Sequence, residues 1–134
     1  MNIPFSPPDI TEAEINEVAE ALSSGWITTG PRTKELEKRL SEYCHTSKTV
    51  CLNSATAAEE LNFRICGIGD GDEVIVPAYT YTATASAAIH CGAKVVFVDS
   101  QKDSTEMDYD KVAAAITERT KAIVAVDLAG IVAD

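Results

Sequence analysis

The feature that most constrains the fold of this sequence is the alternation of short apolar runs, rich in β-branched residues, with segments of helical periodicity. Four such runs read as strands: "TVCLN" (49–53), "EVIVP" (73–77), "KVVFVD" (94–99) and "KAIVAVD" (121–127). Strands that alternate with helices are joined by right-handed crossovers and form a parallel sheet covered on both faces. We therefore predict a three-layer α/β/α fold with a mainly parallel sheet.

The intervening segments carry helix start signals and apolar residues at helical spacing. Thr11 and Glu14 have the spacing of a capping box, and Asp108 is placed to cap a helix near Val112. A further helix follows the turn-like "TTGP" and is marked by Leu36 and Leu40. The predicted helices cover 11–22, the segment after residue 31, 57–66, 82–91 and the segment after Asp108.

Length and composition favour one domain that contacts neither membranes nor nucleic acid. The 134 residues predict a single domain, with a helical segment over 1–48 and a βαβαβαβ part over 49–134. No apolar run approaches the roughly 20 residues of a membrane helix, and the N-terminus lacks the features of a signal peptide. A net charge of -10 disfavours binding to phosphate backbones. We expect a cytoplasmic location.

The cysteines favour no metal site. No pair has the CxxC spacing, and their apolar surroundings predict reduced, buried thiols rather than disulfides. A zinc site from the pairs Cys44-His45 and His90-Cys91 is the less favoured alternative, because structural zinc ligands usually come in short-spaced pairs.

The ends of the predicted strands are the expected ligand-binding region, because ligands of open α/β sheets gather outside the carboxyl ends of the strands. The glycine-rich "GIGDGD" is excluded as a dinucleotide site, since it follows a helix and precedes a strand, the reverse of the required order. Four places remain: 53–56, 77–81, 99–101 and 127–130.

Ser54 and Thr56 stand at the predicted start of a helix and allow two interpretations. A helix N-terminus exposes unpaired N–H groups and partial positive charge, so small and hydroxylated residues there can surround a phosphate. The plainer interpretation is that one of the two hydroxyls caps the helix. The local pattern favours the cap.

Two tyrosines occupy the second of these places, in "PAYTYTATASA" (77–87). An aromatic ring beside a phosphate-binding segment suits a flat heteroaromatic ligand, because stacking adds to its burial. Taken alone, the segment favours the alternative that Tyr79 and Tyr81 are partly buried packing residues.

Seven stretches, in order, carry a more specific signal. Together they resemble the DegT/DnrJ/EryC1/StrS family of sugar aminotransferases, which use pyridoxal 5'-phosphate (PLP). The match covers nearly the whole chain. The stretches are "SGWITTGP" (24–31), "NSATAA" (53–58), "GIGDGDEVIVP" (67–77), "YTYTATASA" (79–87), "GAKVVFVD" (92–99), "ITERTKAIVAVDLAG" (116–130) and "AD" (133–134).

The resemblance implies the N-terminal part of the large domain of a type I PLP-dependent transferase, with "EVIVP" between the two strands that follow it. By the same resemblance, Ser54, Ala55, Thr56 and Ala57 hold the cofactor phosphate, and Tyr81 lies over the pyridine ring.

The segment matching "WITTG" implies a sugar-binding role for Thr28, Thr29 and Gly30. Asp99 and Asp127 follow their strands in the right region, and we interpret Asp99 as structural.

The chain departs from the family pattern at Glu59 and Asn62, where the family usually carries apolar or small residues. In the family, the acid that pairs with the pyridinium nitrogen and the lysine that binds the cofactor covalently both lie beyond the point matching Asp134. No catalytic residue is therefore assigned, and we expect the 134-residue chain alone to be inactive.

The resemblance implies transfer of an amino group from an amino acid to a nucleotide-linked keto-sugar, for polysaccharide or cell-surface glycan biosynthesis. It also implies glutamate as the amino acid, because glutamate is the usual donor in the family. A homodimer is expected for the full-length protein. The alternative is a non-catalytic α/β module that binds a phosphorylated ligand or a partner chain through the same helix N-terminus.

Overall fold

The computed structural model describes residues 2–4 and 6–133, so Asp134, the last residue of the matched stretch "AD", lies outside the described residues. The chain divides into two units, Met1–Cys51 and Leu52–Asp134, and each is described by itself. The first contains α1 (Glu12–Ser23) and α2 (Pro31–Tyr43). The second contains, in order, α3 (Ala55–Ile65), β1 (Glu73–Pro77), α4 (Ala83–His90), β2 (Lys94–Val98), α5 (Tyr109–Ala115), β3 (Thr120–Ile123) and a 3-10 turn (Leu128–Gly130).

Local chemistry determines where the helices of the first unit begin. The predicted capping box is confirmed: the Thr11 hydroxyl accepts from the N–H of Ala13 at 3.2 Å, and the Thr11 N–H donates to the Glu14 carboxylate at 2.6 Å. Helix α2 begins with a proline, whose missing N–H is not needed in the first turn. The Arg32 guanidinium reaches Glu17 and Glu20 on α1, which links the two helices by exposed ion pairs.

The predicted strand over 49–53 is wrong, since these residues form no strand in the described part of the chain. The backbone N–H groups of a strand donate to carbonyls of a neighbouring strand. The N–H of Cys51 instead donates to the Glu37 carboxylate at 2.9 Å. The Thr49 hydroxyl accepts from Ser41 at 2.9 Å. A side chain of α2 thus satisfies the Cys51 N–H, a donor that a sheet partner would otherwise satisfy.

The sheet of the second unit is parallel, with the order β2-β1-β3. The expected central position of "EVIVP" is confirmed, and all five of its residues are buried. Strand β3 is shorter than predicted, because its pairing with β1 ends at Ile123. Beyond that residue, the N–H of Val124 still donates to the carbonyl of Ile75. Residues 124–127 then leave the sheet.

Helices cover both faces of this sheet, which confirms the three-layer prediction. Side chains of successive strand residues point to opposite faces, so Val74 and Val76 share one core and Ile75 belongs to the other. The first core is completed by α3 and α4 and contains Phe63, Ile68, Ala87, Ala88 and Ala93. The second is completed by α5 and contains Val98, Met107 and Val112.

The cysteines are free thiols, as predicted, but the expected burial is wrong: Cys44 and Cys66 are exposed, and Cys51 and Cys91 are half-buried. Within the described residues no helix combines the length and the apolar character needed to cross a membrane.

A buried carboxylate joins the amino ends of the three strands. Glu73 begins β1, and its side chain is only 3 % exposed. It accepts hydrogen bonds from Lys94 on β2 at 3.0 Å, from the Thr117 hydroxyl at 2.7 Å and from Arg119 at 2.8 Å. The bond from Thr117, followed by those from Arg119 and Lys94, lowers the pKa of Glu73 from 4.5 to about 2.

We predict that this carboxylate makes stability depend on acid pH. A pKa that is lower in the folded than in the unfolded chain stabilises the fold fully above pH 4.5, and this contribution is lost as the pH falls towards 2. Urea unfolding followed by circular dichroism should show a midpoint that drops across this interval. Glu73→Gln should be less stable at pH 7 and should show a much flatter acid profile.

The matched control is Glu118→Gln, which removes an exposed carboxylate from the same unit. Its profile should follow that of the unchanged chain. A Glu73→Gln variant with an unaltered acid profile would show that the buried carboxylate does not govern this dependence.

Candidate active site

A cleft of about 510 Å³ lies in the second unit, where β1 and β3 end. Three of the four places predicted from the strand ends contribute to it, and only 99–101 does not. The lining residues are Ala55, Thr56 and Glu59 from α3; Thr80, Tyr81, Ala83 and Thr84 from the start of α4; and Val124, Ala125, Val126 and Asp127 after β3.

The N-terminus of α3 forms one wall of the cleft. Ser54 has extended backbone and caps the helix, because its hydroxyl accepts from the N–H of Ala57 at 3.1 Å. The Ser54 carbonyl accepts from Ala58 at 3.2 Å. The N–H groups of Ala55 and Thr56 have no partner among the described residues, so these two are available to an anion.

The cap and the unpaired N–H groups therefore lie in one segment. Ser54 performs the capping role that the local pattern favoured. The N–H of Ala57 is engaged by that cap, whereas Thr56 is half-buried and lines the cleft.

Tyr81 forms the aromatic part of the lining. Its side chain lies just before α4 and is 79 % exposed, and Tyr79 is 60 % exposed. Neither ring is a buried packing residue, so the packing alternative does not describe them. The Tyr81 carbonyl accepts from the N–H of Thr84 at 3.2 Å, which holds the loop at the first turn of α4. The ring has free surface on which a flat ligand could stack.

The cleft contains acidic but no basic side chains. Glu59 and Asp127 line it, and no Lys, Arg or His does so among the described residues. One oxygen of Asp127 accepts from the N–H of Ala133 at 3.1 Å. Attraction for an anion must therefore come from helix N–H groups, the helix dipole and hydroxyls.

Sequence reasoning did not assign Glu59, Ala83, Thr84 or residues 124–126 to the site, whereas Thr80 falls in the predicted segment 77–81. Glu59 could have been found, because it lies three residues after Thr56 and such residues share one helix face. Residues 124–126 were hidden in a predicted strand. Asp99 has partners outside the cleft: its side chain accepts from the N–H of Ser100 at 2.9 Å and lies 4.0 Å from the Lys111 ammonium on α5.

Thr28, Thr29 and Gly30 belong to the first unit. Thr28 and Gly30 line a hollow of about 290 Å³ together with Trp26, whose indole N–H donates to the Thr29 carbonyl at 3.0 Å. Gly30 is buried, and a Cβ there would collide with the Trp26 indole. The glycine is required by space, since its φ of -156° is open to any residue.

The fold corresponds to part of the fold of known PLP-dependent aminotransferases. The structure matches the sugar aminotransferase Spr1654 of Streptococcus pneumoniae with a TM-score of 0.92 and 67 % identity, over 100 % of this chain and 34 % of that one. That protein is known in PLP and PMP forms. The structure also matches 3-amino-5-hydroxybenzoic acid synthase, with a TM-score of 0.85 and 36 % identity, over 95 % of this chain and 34 % of that one. The architecture is thus part of the type I fold of these enzymes.

The model of the DegT/DnrJ/EryC1/StrS aminotransferase family matches residues 8–134, and the chain belongs to this family. The spore coat polysaccharide biosynthesis protein SpsC of Bacillus subtilis is 42 % identical over 128 residues, which are 96 % of this chain and 33 % of SpsC. UDP-4-amino-4-deoxy-L-arabinose–oxoglutarate aminotransferase of Shewanella sediminis is 44 % identical over the same shares. The chain spans about a third of the length of these relatives.

We predict that Ser54→Ala and Ser54→Gly differ in stability. Loss of a serine N-cap to alanine costs about 1 kcal/mol, whereas glycine in its place costs only a few tenths of a kcal/mol. Urea unfolding at neutral pH measures both. Ser86→Ala, which changes a serine within α4, is the control and should cost less than Ser54→Ala. Equal losses for the two Ser54 variants would contradict the capping role.

We predict that Gly30→Ala displaces the indole of the only tryptophan in the chain. The added methyl group meets the ring directly, so the hydrogen bond from Trp26 to Thr29 should be lost and the emission of Trp26 should shift. Thr33→Ala, which removes atoms from the same hollow, should leave the emission almost unchanged. The same spectrum for Gly30→Ala and the unchanged chain would show that this contact is not tight.

Proposed function

We propose that this chain forms the cofactor-phosphate part of a PLP-dependent aminotransferase that transfers an amino group from an amino acid to a nucleotide-linked keto-sugar. The observation that carries the proposal is the cleft at the strand ends, where unpaired N–H groups, the Thr56 hydroxyl and the exposed Tyr81 ring lie together. Membership of a family named for aminotransferases supports the reaction class.

The residues of the cleft fit the chemical parts of PLP. A phosphate needs several donors, which the N–H groups of Ala55 and Thr56 and the hydroxyl of Thr56 supply at a helix N-terminus. A pyridine ring needs a flat apolar surface, which Tyr81 supplies. When bound, PLP supplies a carbonyl carbon that takes up an amino group and a ring that withdraws electrons.

This chain's own residues bind and orient in this scheme. The α3 N-terminus fixes the phosphate, and the ring of Tyr81 restricts the tilt of the pyridine plane. Ser54 keeps the first turn of α3 in place through its bond to Ala57, which presents the two unpaired N–H groups in a fixed direction.

The names of two relatives support the choice of substrates. The Bacillus relative is a polysaccharide biosynthesis protein, and the Shewanella relative is an aminotransferase of a UDP-linked sugar that uses oxoglutarate. We infer glutamate as the amino donor, because oxoglutarate is the keto acid that glutamate becomes. We infer that Thr28, Thr29 and Gly30 contact the sugar substrate and that the whole protein is a homodimer.

We predict that Thr56→Val weakens binding of inorganic phosphate and of PLP by a similar factor. One hydrogen bond to a charged group is lost while the backbone N–H groups remain, so the loss should be roughly tenfold. Isothermal titration calorimetry measures both affinities. Thr82→Val is the matched control, because Thr82 is exposed and does not line the cleft. Unchanged affinity in Thr56→Val would refute the phosphate site.

Tyr81→Ala should distinguish the cofactor from a generic anion. It should weaken PLP more than inorganic phosphate, because only PLP carries a ring that can stack. Tyr79→Ala, in the same loop but outside the cleft lining, should affect neither affinity. Equal losses for both ligands in Tyr81→Ala would favour the alternative of a non-catalytic module that binds phosphorylated ligands.

A further inference from the structure

The carboxylate of Asp127 lies at the cleft without a counter-ion. Asp127 follows β3, lines the cleft and is exposed. Its Oδ1 atom accepts from the N–H of Ala133, and its carbonyl accepts from the N–H of Gly130 at 3.1 Å. These two bonds hold the residue at the start of the 3-10 turn, while Oδ2 makes no hydrogen bond with any described residue. An exposed aspartate is negatively charged at neutral pH.

The lining of the cleft thus combines two parts of opposite electrostatic character. The α3 N-terminus, with the unpaired N–H groups of Ala55 and Thr56, favours an anion. The segment after β3 carries Asp127, which favours a cation. The other acid of the lining, Glu59, has one oxygen enclosed by protein. Since the described lining residues include no Lys, Arg or His, a positive group near Asp127 must come from the ligand.

The size of the cleft lets one small ligand reach both parts. Its volume of about 510 Å³ is that of an ordinary small-molecule site. A ligand whose phosphate lies at the α3 N-terminus extends from there into the space that Tyr81 and Asp127 line. A protonated amine on such a ligand is attracted by the full charge of Asp127. The helix dipole opposes this only weakly, because its effect falls off within the first turn and the bound phosphate offsets it.

Two ligands with the same phosphate isolate the effect of the amine. The α3 N-terminus attracts both phosphates equally, and Asp127 repels both equally. These contributions cancel when the two affinities are compared. What remains is the interaction of the amine, and in that interaction Asp127 is the exposed charge of the described lining.

We propose that Asp127 is a specificity-determining residue that makes this cleft prefer a phosphate ester with a protonated amine over the same ester without one. The inference rests on the proposed function, because it takes the cleft as the site of the cofactor phosphate. It adds that pyridoxamine 5'-phosphate (PMP), the amine-bearing form of the cofactor, is held more tightly by non-covalent contacts than a form of equal size without the amine.

The test uses PMP and pyridoxine 5'-phosphate as a matched pair of probes. They share the ring and the phosphate, and an alcohol in the second replaces the amine of the first. Neither carries an aldehyde, so neither reacts with the lysines of the chain. Isothermal titration calorimetry at neutral pH, at low and at high salt, measures both affinities.

Asp127→Asn is the test variant, because asparagine keeps an oxygen that can accept from the N–H of Ala133 and removes the charge. Asp99→Asn is the matched control. Asp99 also follows a strand and is exposed, but it does not line the cleft. Circular dichroism melting checks folding, and Asp127→Ser, which is also uncharged, replaces the asparagine variant if the latter does not fold.

We expect the unchanged chain to bind PMP roughly three- to fivefold more tightly than pyridoxine 5'-phosphate, the size of effect that an exposed ion pair supplies. The preference should shrink with added salt, because salt screens exposed charges. Asp127→Asn should bind the two probes about equally, and Asp99→Asn should keep the preference. A merely structural role of Asp127 would change both affinities by the same factor and leave their ratio unaltered.

The outcomes separate this inference from the proposed function. If Thr56→Val weakens both probes while the unchanged chain binds them equally, the phosphate site stands and the preference for an amine is overturned. A preference that persists in Asp127→Asn, or that Asp99→Asn also loses, overturns the role of Asp127. If the unchanged chain binds neither probe, the phosphate site itself is refuted and the inference fails with it.

Discussion

The second unit depends on one short central strand, β1, whose edges and faces are all buried. Both of its edges are hydrogen-bonded to parallel neighbours, and both of its faces are covered by helices. A strand in that position has no exposed face on which a polar side chain could lie, so its single charged residue must be satisfied internally. Glu73 meets this requirement by collecting donors from β2 and from the segment that enters β3.

The cleft follows from the same arrangement. Parallel strands present all their carboxyl ends at one edge, so the segments that leave β1 and β3 meet there with the first turn of α3. The early end of pairing at Ile123 turns residues 124–127 from sheet into cleft wall. Donors for an anion are then backbone groups rather than cations, which gives the site direction without giving it net positive charge.

Much of this arrangement could be predicted from the sequence, because it depends on local patterns. The capping box at Thr11 and the cap at Asp108 are specified within four residues, and "EVIVP" is apolar enough to require burial. The strand predicted over 49–53 rested on β-like composition, which does not show whether a neighbour exists to pair with. The N–H of Cys51 donates to the carboxylate of Glu37, which is fourteen residues earlier in the sequence.

Glu73 and the cleft lie at opposite ends of β1. Glu73 is the first residue of the strand, and the cleft lies beyond its last residue. Five residues of strand separate them by roughly 16 Å. The residues that line the cleft include neither Glu73 nor any of its hydrogen-bond donors. Substitutions among the cleft residues can therefore leave the amino ends of the strands, which Glu73 joins, undisturbed. A scaffold divided in this way is well suited to diversify its substrates among related enzymes while keeping one architecture.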